Sequence, residues 1–406
     1  METIITDKMV FGGNCIIKNS GKTVFVPFAI PGEKLEIEIT SSKKDYDTAR
    51  IIKIVEPSQD RVTPPCPLYM KCGGCNMMHI SEEAQKKLRS EILRDCFERN
   101  GIKLPEINVI SGSAYYYRSR FQLNNGGLSE KASNSTIPVE ECKIAEPSVN
   151  AWLKANPAGS RPKGRCHLFS SEKVVSVGGI PGVNFALSEE QCIHKDNFQE
   201  LKKKNRNIKQ TKKRYSGTML SMQDIVTVNL LGKNISFDVR GFFQSNLDVL
   251  EKSITEICRG LTGTSVLDMY AGCGTFSVFL ADYFKKVTLV EHNRDALVFA
   301  EQNLAGKPHE SYGLSGEKWA EANKDSYFDA VVIDPPRSGM EKGVRDYLCR
   351  SKIPQIRSVS CDPATHARDI AALVKAGYKL DRLYLLDFYP NTSHIESLAV
   401  LTKETD

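Results

Sequence analysis

The sequence contains one candidate nucleophile, a cysteine, and two candidate proton acceptors near its C-terminal end. Cys361 follows a predicted strand in the stretch SVSCDPATHARD, and His394 and Glu396 lie at the start of the last predicted strand, in YPNTSHIESLAV. A thiolate adds to electrophilic carbons, and a nearby base can then remove a proton from the adduct. A free cysteine is more often a small buried hydrophobic residue, so Cys361 alone leaves both interpretations open.

A glycine-bearing turn predicts a nucleotide-like pocket. In SVLDMYAGCGTFSVFLA a strand is followed by Gly272 and Gly274, which let the backbone pass close to a ligand. Ser277 stands where a dinucleotide fingerprint has Gly or Ala, and Glu291 ends the next predicted strand, where its carboxylate can bind two ribose hydroxyls. This combination favours S-adenosylmethionine over a nicotinamide cofactor. A tight turn without a ligand is the alternative.

A second acid points into the same cleft. The stretch DAVVIDPPRSGM places Asp334 at the end of a buried strand, before two prolines that stiffen the chain. Because ligands of α/β sheets bind at the carboxyl ends of the strands, we expect Asp268, Asp334 and Cys361 to face one cleft.

A thiolate beside a methyl donor suggests one specific chemistry. Carbon 5 of a pyrimidine is a poor nucleophile until a thiolate adds to carbon 6, after which carbon 5 can attack a methyl sulfonium. A base must then remove the extra proton from carbon 5. On chemical grounds alone, either Glu396 or His394 can be that base.

A cysteine cluster lies upstream of the predicted catalytic residues. Cys66, Cys72 and Cys75 form the pattern C-x5-C-x2-C. Thiolates at such spacing suit tetrahedral zinc or an iron–sulfur cluster, and spacing does not choose between them. The chain has twelve cysteines, and in a reducing compartment we do not expect disulfides.

The elements that must position these residues fall into three regions. Residues 1–57 alternate apolar and polar positions in short runs, which predicts a small β-barrel. Residues 58–239 contain a helix from Ser81 to about Arg99, with Ser81 as N-cap, and broken strands beyond it. Residues 240–406 alternate strands and helices, which predicts a doubly wound α/β sheet. Its predicted strands are Ser265–Asp268, Val287–Glu291, Ala330–Asp334, Ser358–Cys361, Arg382–Phe388 and Ser397–Leu401.

Composition indicates a water-soluble protein of two or three domains, with 406 residues and a net charge of +6. The chain has no apolar run of about 18 residues and no secretion signal, so we expect a cytoplasmic protein without a membrane partner. The segment KKKNRNIKQTKKR, from Lys202 to Arg214, has eight basic residues and no acid. It can hold phosphates or be a solvated loop.

Two motifs carry a resemblance to a known family. SCDPATHARD resembles the signature of the RNA uridine-5-methyltransferases, and HIESLAVL resembles their C-terminal signature. The resemblance covers nearly the whole chain. It implies that Cys361 is the nucleophile and Glu396 the proton-abstracting base, with His394 as a neighbour that shapes the site. The residues that it implies for the methyl donor are Gln244 (in FFQSN), Tyr270, Glu291 and Asp334.

The same resemblance interprets the rest of the chain. It implies a [4Fe–4S] cluster held by Cys66, Cys72, Cys75 and, as fourth ligand, Cys142 in IPVEECKIAEP. The N-terminal barrel resembles the oligonucleotide-binding-like TRAM domain, which holds RNA. We therefore expect a Rossmann-like S-adenosylmethionine-dependent methyltransferase domain (240–406), preceded by the barrel (1–57) and a central iron–sulfur and β domain (58–239) whose helix 81–99 packs on the catalytic domain.

The expected reaction is C5-methylation of a uridine in RNA by a monomeric enzyme. The barrel and the cluster favour 23S rRNA, since family members devoted to the T-loop of tRNA in many bacteria lack both. The same reaction on tRNA is one alternative. A non-catalytic RNA-binding or ribosome assembly protein is another, although the presence of both Cys361 and Glu396 argues against it.

Overall fold

The computed structural model of the chain describes residues 2–19, 21–171, 174–178 and 225–404. The basic segment Lys202–Arg214 lies outside the described residues. No helix in the described ranges is long and apolar enough to cross a membrane.

The N-terminal region forms a six-stranded sheet where the sequence predicts a barrel. Val24 and Val26 are buried on one strand and Leu35 and Ile37 on the next, so the period-two pattern turns the apolar side chains to one face. The strand order in the sheet is β1-β5-β6-β4-β3-β2. These strands are β1 (Glu2–Ile5), β2 (Lys8–Val10), β3 (Asn14–Asn19), β4 (Lys22–Pro27), β5 (Lys34–Ser42) and β6 (Tyr46–Glu56).

The central region contains one long helix and several small sheets. Its strands form a three-stranded sheet β12-β11-β8 and the pairs β9–β10 and β13–β14. Ser81 occupies the N-cap position of the long helix as predicted, but its hydroxyl contacts the Asp60 carboxylate and makes no capping bond. The elements are α1 (Glu82–Arg99), β7 (Ile107–Ile110), β8 (Arg120–Asn124), β9 (Leu128–Ser129), β10 (Thr136–Ile137), α2 (Pro147–Ala155), β11 (Arg165–Ser171), β12 (Val174–Gly178), β13 (Ile225–Leu230) and β14 (Lys233–Asp238).

The C-terminal region is the predicted α/β domain, built on an eight-stranded sheet of order β17-β16-β15-β18-β19-β21-β20-β7. The five strands β15 to β19 are parallel to one another, and β21 is antiparallel to both of its neighbours, β19 and β20. The elements are α3 (Leu247–Cys258), β15 (Gly263–Met269), α4 (Thr275–Leu280), β16 (Phe284–Val290), α5 (Arg294–Asn303), β17 (His309–Tyr312), α6 (Gly316–Ala322), β18 (Ala330–Ile333), α7 (Lys342–Arg350), β19 (Gln355–Ser360), α8 (Pro363–Lys375), β20 (Tyr378–Leu386) and β21 (Glu396–Lys403).

Two elements of the central region belong with the C-terminal sheet: strand β7 is its edge strand, and helix α1 packs on it. Strand β7 pairs in parallel with β20 at the sheet edge. Helix α1 is joined to the sheet by an ion pair between Arg89 and Asp387, 2.8 Å apart and almost fully buried. Phe97 of α1 packs edge-to-face on His366 of α8, with ring centroids 5.5 Å apart. The boundaries at residues 57 and 239 stay a prediction.

Candidate active site

Strand direction brings the predicted nucleophile and base to one edge of the sheet. Strand β19 ends at Ser360, which pairs with Ser397 of the antiparallel strand β21. Cys361 is the residue after Ser360, and Glu396 is the residue before Ser397, so both stand at the same end of this strand pair. Asp334 follows the parallel strand β18 at the same edge.

Cys361 is half-buried between the end of β19 and the start of α8. The carboxylate of Asp362 accepts hydrogen bonds from the amides of Ala364 (3.1 Å) and Thr365 (2.8 Å), and this N-cap fixes the turn that carries the thiol. Burial, followed by the negative charges of Glu396 and Asp334, raises the pKa of the Cys361 thiol to about 11. The thiol is therefore protonated at neutral pH in the absence of ligands.

Glu396 is a buried acid that can take a proton near neutral pH. Burial and the neighbouring Asp334 charge raise the pKa of Glu396 to about 8, against the opposing effect of a hydrogen bond from Gln244. The Gln244 amide donates to Glu396 Oε2 over 3.3 Å, and its carbonyl accepts the Tyr389 hydroxyl proton over 3.3 Å. Burial, followed by the positive charges of Arg337 and Arg118, lowers the pKa of His394.

The glycine turn after β15 has an open side and a packed side. A Cβ added to Gly272 (φ +56°) would meet no atom within 4 Å, whereas one on Gly274 (φ +79°) would lie 3.0 Å from Ala300 Cβ. The Glu291 carboxylate spans the turn, because it accepts hydrogen bonds from the amides of Gly272 (3.0 Å) and Asn293 (2.6 Å). The space over Gly272 is thus available to a ligand, and one edge of it is acidic.

Tyr270, a predicted pocket residue, lies directly after β15. Its backbone is left-handed (φ +64°), an uncommon conformation for a side chain of this size. Its hydroxyl accepts a hydrogen bond from the Glu341 amide over 3.3 Å, at the start of α7.

Two further acids complete the negative character of this edge. Burial raises the pKa of Asp268 and of Asp334 to about 7, and the Asp334 charge adds to the shift at Asp268. The Ser277 hydroxyl donates to Asp268 over 2.5 Å. Neutralising such buried carboxylates is favourable, so the pocket suits a ligand with positive charge.

Tyr389, to which sequence reasoning assigned no role, lies at this site, as does Arg337, which follows Asp-Pro-Pro and for which a ligand role and a surface salt bridge were both open. Tyr389 joins Gln244 by its hydroxyl, and the Arg337 charge acts on both Cys361 and Glu396 by lowering their pKa values. Tyr389 begins the stretch YPNTSHIESLAV that contains Glu396, and this proximity in sequence was the available signal.

Three of the four predicted metal ligands, Cys66, Cys75 and Cys142, pack against one small apolar cluster. Burial, followed by the charges of Cys142, Cys72 and Cys66, raises the pKa of Cys75 to about 12. The Cys142 amide donates to Asn150 Oδ1 over 2.8 Å, which fixes the fourth thiol. Within the described ranges no three potential ligands are arranged as a ready metal site. In chemical type, though not in a measured arrangement, four cysteine thiols are the donors that iron–sulfur clusters and tetrahedral zinc take.

Comparison with known proteins decides the family. The sequence pattern described as tRNA (Uracil-5-)-methyltransferase matches residues 85–404, and the TRAM domain matches residues 1–52. The chain belongs to the tRNA (uracil-5-)-methyltransferase family. The resemblance read from the Cys361 and Glu396 motifs is thereby confirmed, as is the fold of an N-terminal TRAM region followed by a methyltransferase domain.

Relatives in this uracil-5-methyltransferase family match over almost the full chain. An uncharacterized RNA methyltransferase of Treponema denticola is 36% identical and covers 99% of both chains. A 23S rRNA (uracil(1939)-C(5))-methyltransferase of Shewanella amazonensis is 29% identical, over 96% of this chain and 92% of its own. The fold matches the Pyrococcus abyssi tRNA (uracil-54, C5)-methyltransferase, solved with S-adenosyl-L-homocysteine, with a TM-score of 0.71 and 20% identity over 99% and 100% of the two chains.

Proposed function

We propose that this chain transfers a methyl group from S-adenosylmethionine to carbon 5 of a uridine in RNA. The observation that carries the proposal is the position of Cys361, Glu396 and Asp334 at one strand edge. The Glu396 and Asp334 charges lie close enough to raise the pKa of Cys361, and the Asp334 charge close enough to raise that of Glu396. Membership of the uracil-5-methyltransferase family supports it.

Each reacting side chain has one task. S-adenosylmethionine, when bound, supplies an electrophilic methyl group. The Cys361 sulfur bonds to carbon 6 of the uracil, which makes carbon 5 nucleophilic, and carbon 5 takes the methyl group. Glu396 then removes the proton from carbon 5. The double bond between carbons 5 and 6 forms again, the carbon–sulfur bond breaks, and the thiolate is regenerated.

In this acidic pocket the positively charged donor has a second effect, which is to lower the pKa values of Cys361 and Glu396. In the free protein, pKa values of about 11 and about 8 keep Cys361 and Glu396 largely protonated at pH 7. A cation bound beside Asp334 stabilises neighbouring anions and lowers both values. We assign the donor site to Gln244, Tyr270, Glu291 and Asp334.

A [4Fe–4S] cluster held by Cys66, Cys72, Cys75 and Cys142 is part of the proposal. Its support is the proximity of Cys75 to the other three half-buried thiols. Because the methyl transfer needs no electrons, we assign the cluster a structural role. Anaerobically purified protein is expected to be brown and to contain iron. Stoichiometric zinc without iron would reject the cluster.

The favoured substrate is 23S rRNA, as in the name of the Shewanella relative, and tRNA is the second candidate because of the structural neighbour. Such a substrate places the enzyme in the cytoplasm, and we propose that it acts as a monomer. We also propose the domain division 1–57, 58–239 and 240–406. A separate apolar core built on Phe121, Val149 and Leu168 supports an independent central unit.

Tritium release from RNA containing 5-tritiated uridine tests the function. The protein, S-adenosylmethionine and either 23S rRNA fragments or tRNA transcripts are incubated together, and release is expected with the rRNA. Release with tRNA alone would reverse the substrate assignment. No release with either RNA, from protein that binds RNA, would favour a non-catalytic binder. Mapping 5-methyluridine in a deletion strain then identifies the nucleotide.

A further inference from the structure

The loop that leads into Glu396 is held by a segment more than 300 residues earlier in the chain. The amides of Asn76 and Met77, directly after Cys75, both donate to the Asn391 carbonyl, over 3.2 and 3.0 Å. Asn391 has a left-handed backbone (φ +67°), so this peptide is turned toward the cysteine segment. We call residues 390–394 the catalytic loop, since only Ile395 separates it from Glu396, the first residue of β21.

The side-chain amide of Asn76 bonds the catalytic loop through both its oxygen and its nitrogen. Its Oδ1 accepts the Ser393 amide proton over 2.8 Å, and its Nδ2 donates to Ser393 Oγ over 2.9 Å. The same Nδ2 donates to the Gly12 carbonyl over 3.2 Å, at the turn between β2 and β3. The N-terminal sheet, the cysteine segment and the catalytic loop therefore meet at one amide group.

A second amide pair fixes the middle of the loop. Gln85 of α1 accepts the Asn391 amide proton over 2.7 Å and donates to Asn391 Oδ1 over 3.1 Å. Asn391 Nδ2 donates to the Ala114 carbonyl over 2.7 Å, and the buried Tyr117 hydroxyl donates to the Pro390 carbonyl over 3.0 Å. Buried hydrogen bonds of this kind specify one loop position, because breaking them strands polar groups away from water.

We propose that Asn76 is a positioning residue for the proton-removal step, and this inference rests on the function proposed above. Cys361 is fixed by β19 and the N-cap of α8, and the donor turn lies between β15 and α4, so neither depends on the loop. Glu396 is the first residue of β21, the strand that the catalytic loop leads into. Releasing the loop therefore displaces the base while leaving the nucleophile and the donor in place.

The test measures two steps in single turnovers with 5-tritiated RNA. Denaturant-resistant protein–RNA adduct reports addition and methyl transfer, and tritium release reports proton removal. In Asn76→Ala the release rate is expected to fall about tenfold, the value of one or two lost hydrogen bonds, while the adduct forms at the wild-type rate and accumulates. Asn100→Ala is the matched control, since that amide bonds the Cys96 carbonyl at the exposed end of α1.

Each outcome has one meaning. Absence of release and methylation in the wild type overturns the proposed function itself. A wild-type protein that methylates, beside an Asn76→Ala variant with normal release, overturns the positioning role. Equal slowing of adduct formation and release overturns it too, because general damage would do the same. If Asn76→Ala does not fold, Ser393→Ala and Asn391→Gly are used. Glycine retains the left-handed backbone at 391, and both variants are expected to accumulate adduct.

Discussion

Replacing Glu396 by Gln keeps the shape of the side chain and removes its capacity to take a proton. Addition of Cys361 and methyl transfer do not require a base at this position, so the covalent adduct should form and persist as a protein–RNA band in denaturing gels. A positioned general base contributes about 10²- to 10⁴-fold to a rate, and tritium release should fall by that factor. Quenched single-turnover reactions measure both quantities.

The same substitution should change how stability depends on pH. Burial and the Asp334 charge raise the pKa of Glu396 from 4.5 to about 8, so over this interval the unfolded chain loses the proton and the folded chain keeps it. Stability from this group falls as pH rises, by about 1.4 kcal/mol per pH unit, to an upper bound of about 5 kcal/mol once the folded state is also deprotonated. Glu396→Gln should match the wild type near pH 4.5 and be more stable at pH 9 in urea unfolding.

Two results would refute this reasoning. Normal turnover by Glu396→Gln would show that another group removes the proton. A stability difference that is the same at pH 5 and pH 9 would show that no buried carboxyl titrates there. Glu56→Gln is the control, because Glu56 is an exposed partner of Lys34, and its loss should change stability by less than about 1 kcal/mol at either pH.

Other perturbations address the nucleophile, the pH profile, the interface of α1 and the cysteine cluster. Cys361→Ala should form neither adduct nor 5-methyluridine while retaining RNA binding in filter assays; any product from it would exclude the thiol mechanism. For the wild type, log kcat/KM should rise from pH 6 to 9, since Glu396 and Cys361 act deprotonated with pKa values of about 8 and about 11 in the free protein. A flat profile would contradict both assignments. Arg89→Met should cost about 3–5 kcal/mol in urea unfolding, because it strands the buried Asp387 carboxylate, and adding Asp387→Leu should restore most of that loss. Cys75→Ser should lower the iron content per chain; unchanged iron would remove Cys75 from the ligand set.

Periodicity predicted most of the catalytic sheet, and its two misses have different causes. Strand β17 has the sequence HESY with every residue half-buried, so it carries no apolar run to mark it. Strand β7 is a short apolar segment, INVI, but it pairs with β20 far along the chain. Local pattern identifies a strand and is silent about a partner that distant.

The candidate site was predictable to the extent that it follows from strand ends. Asp334 and Cys361 each stand one residue after a parallel strand, and this rule alone placed them in one cleft. The amide contacts of Gln244 with Glu396, and of Asn76 with Ser393, were not predictable, because each joins segments with no shared pattern. Such contacts depend on the packed arrangement of three regions of the chain.

The direction of β21 explains why the nucleophile and the base can act on one uracil. If this eight-residue strand ran parallel to β19, Glu396 would start at the opposite end of the sheet, about 23 Å from Cys361. Antiparallel pairing of Ser360 with Ser397 instead brings Glu396 to the carboxyl edge. A slip of one residue would turn the Glu396 side chain to the other face of the sheet. Asn76 and Gln85 bond the catalytic loop just before β21 begins. These contacts therefore oppose a register slip between β21 and β19.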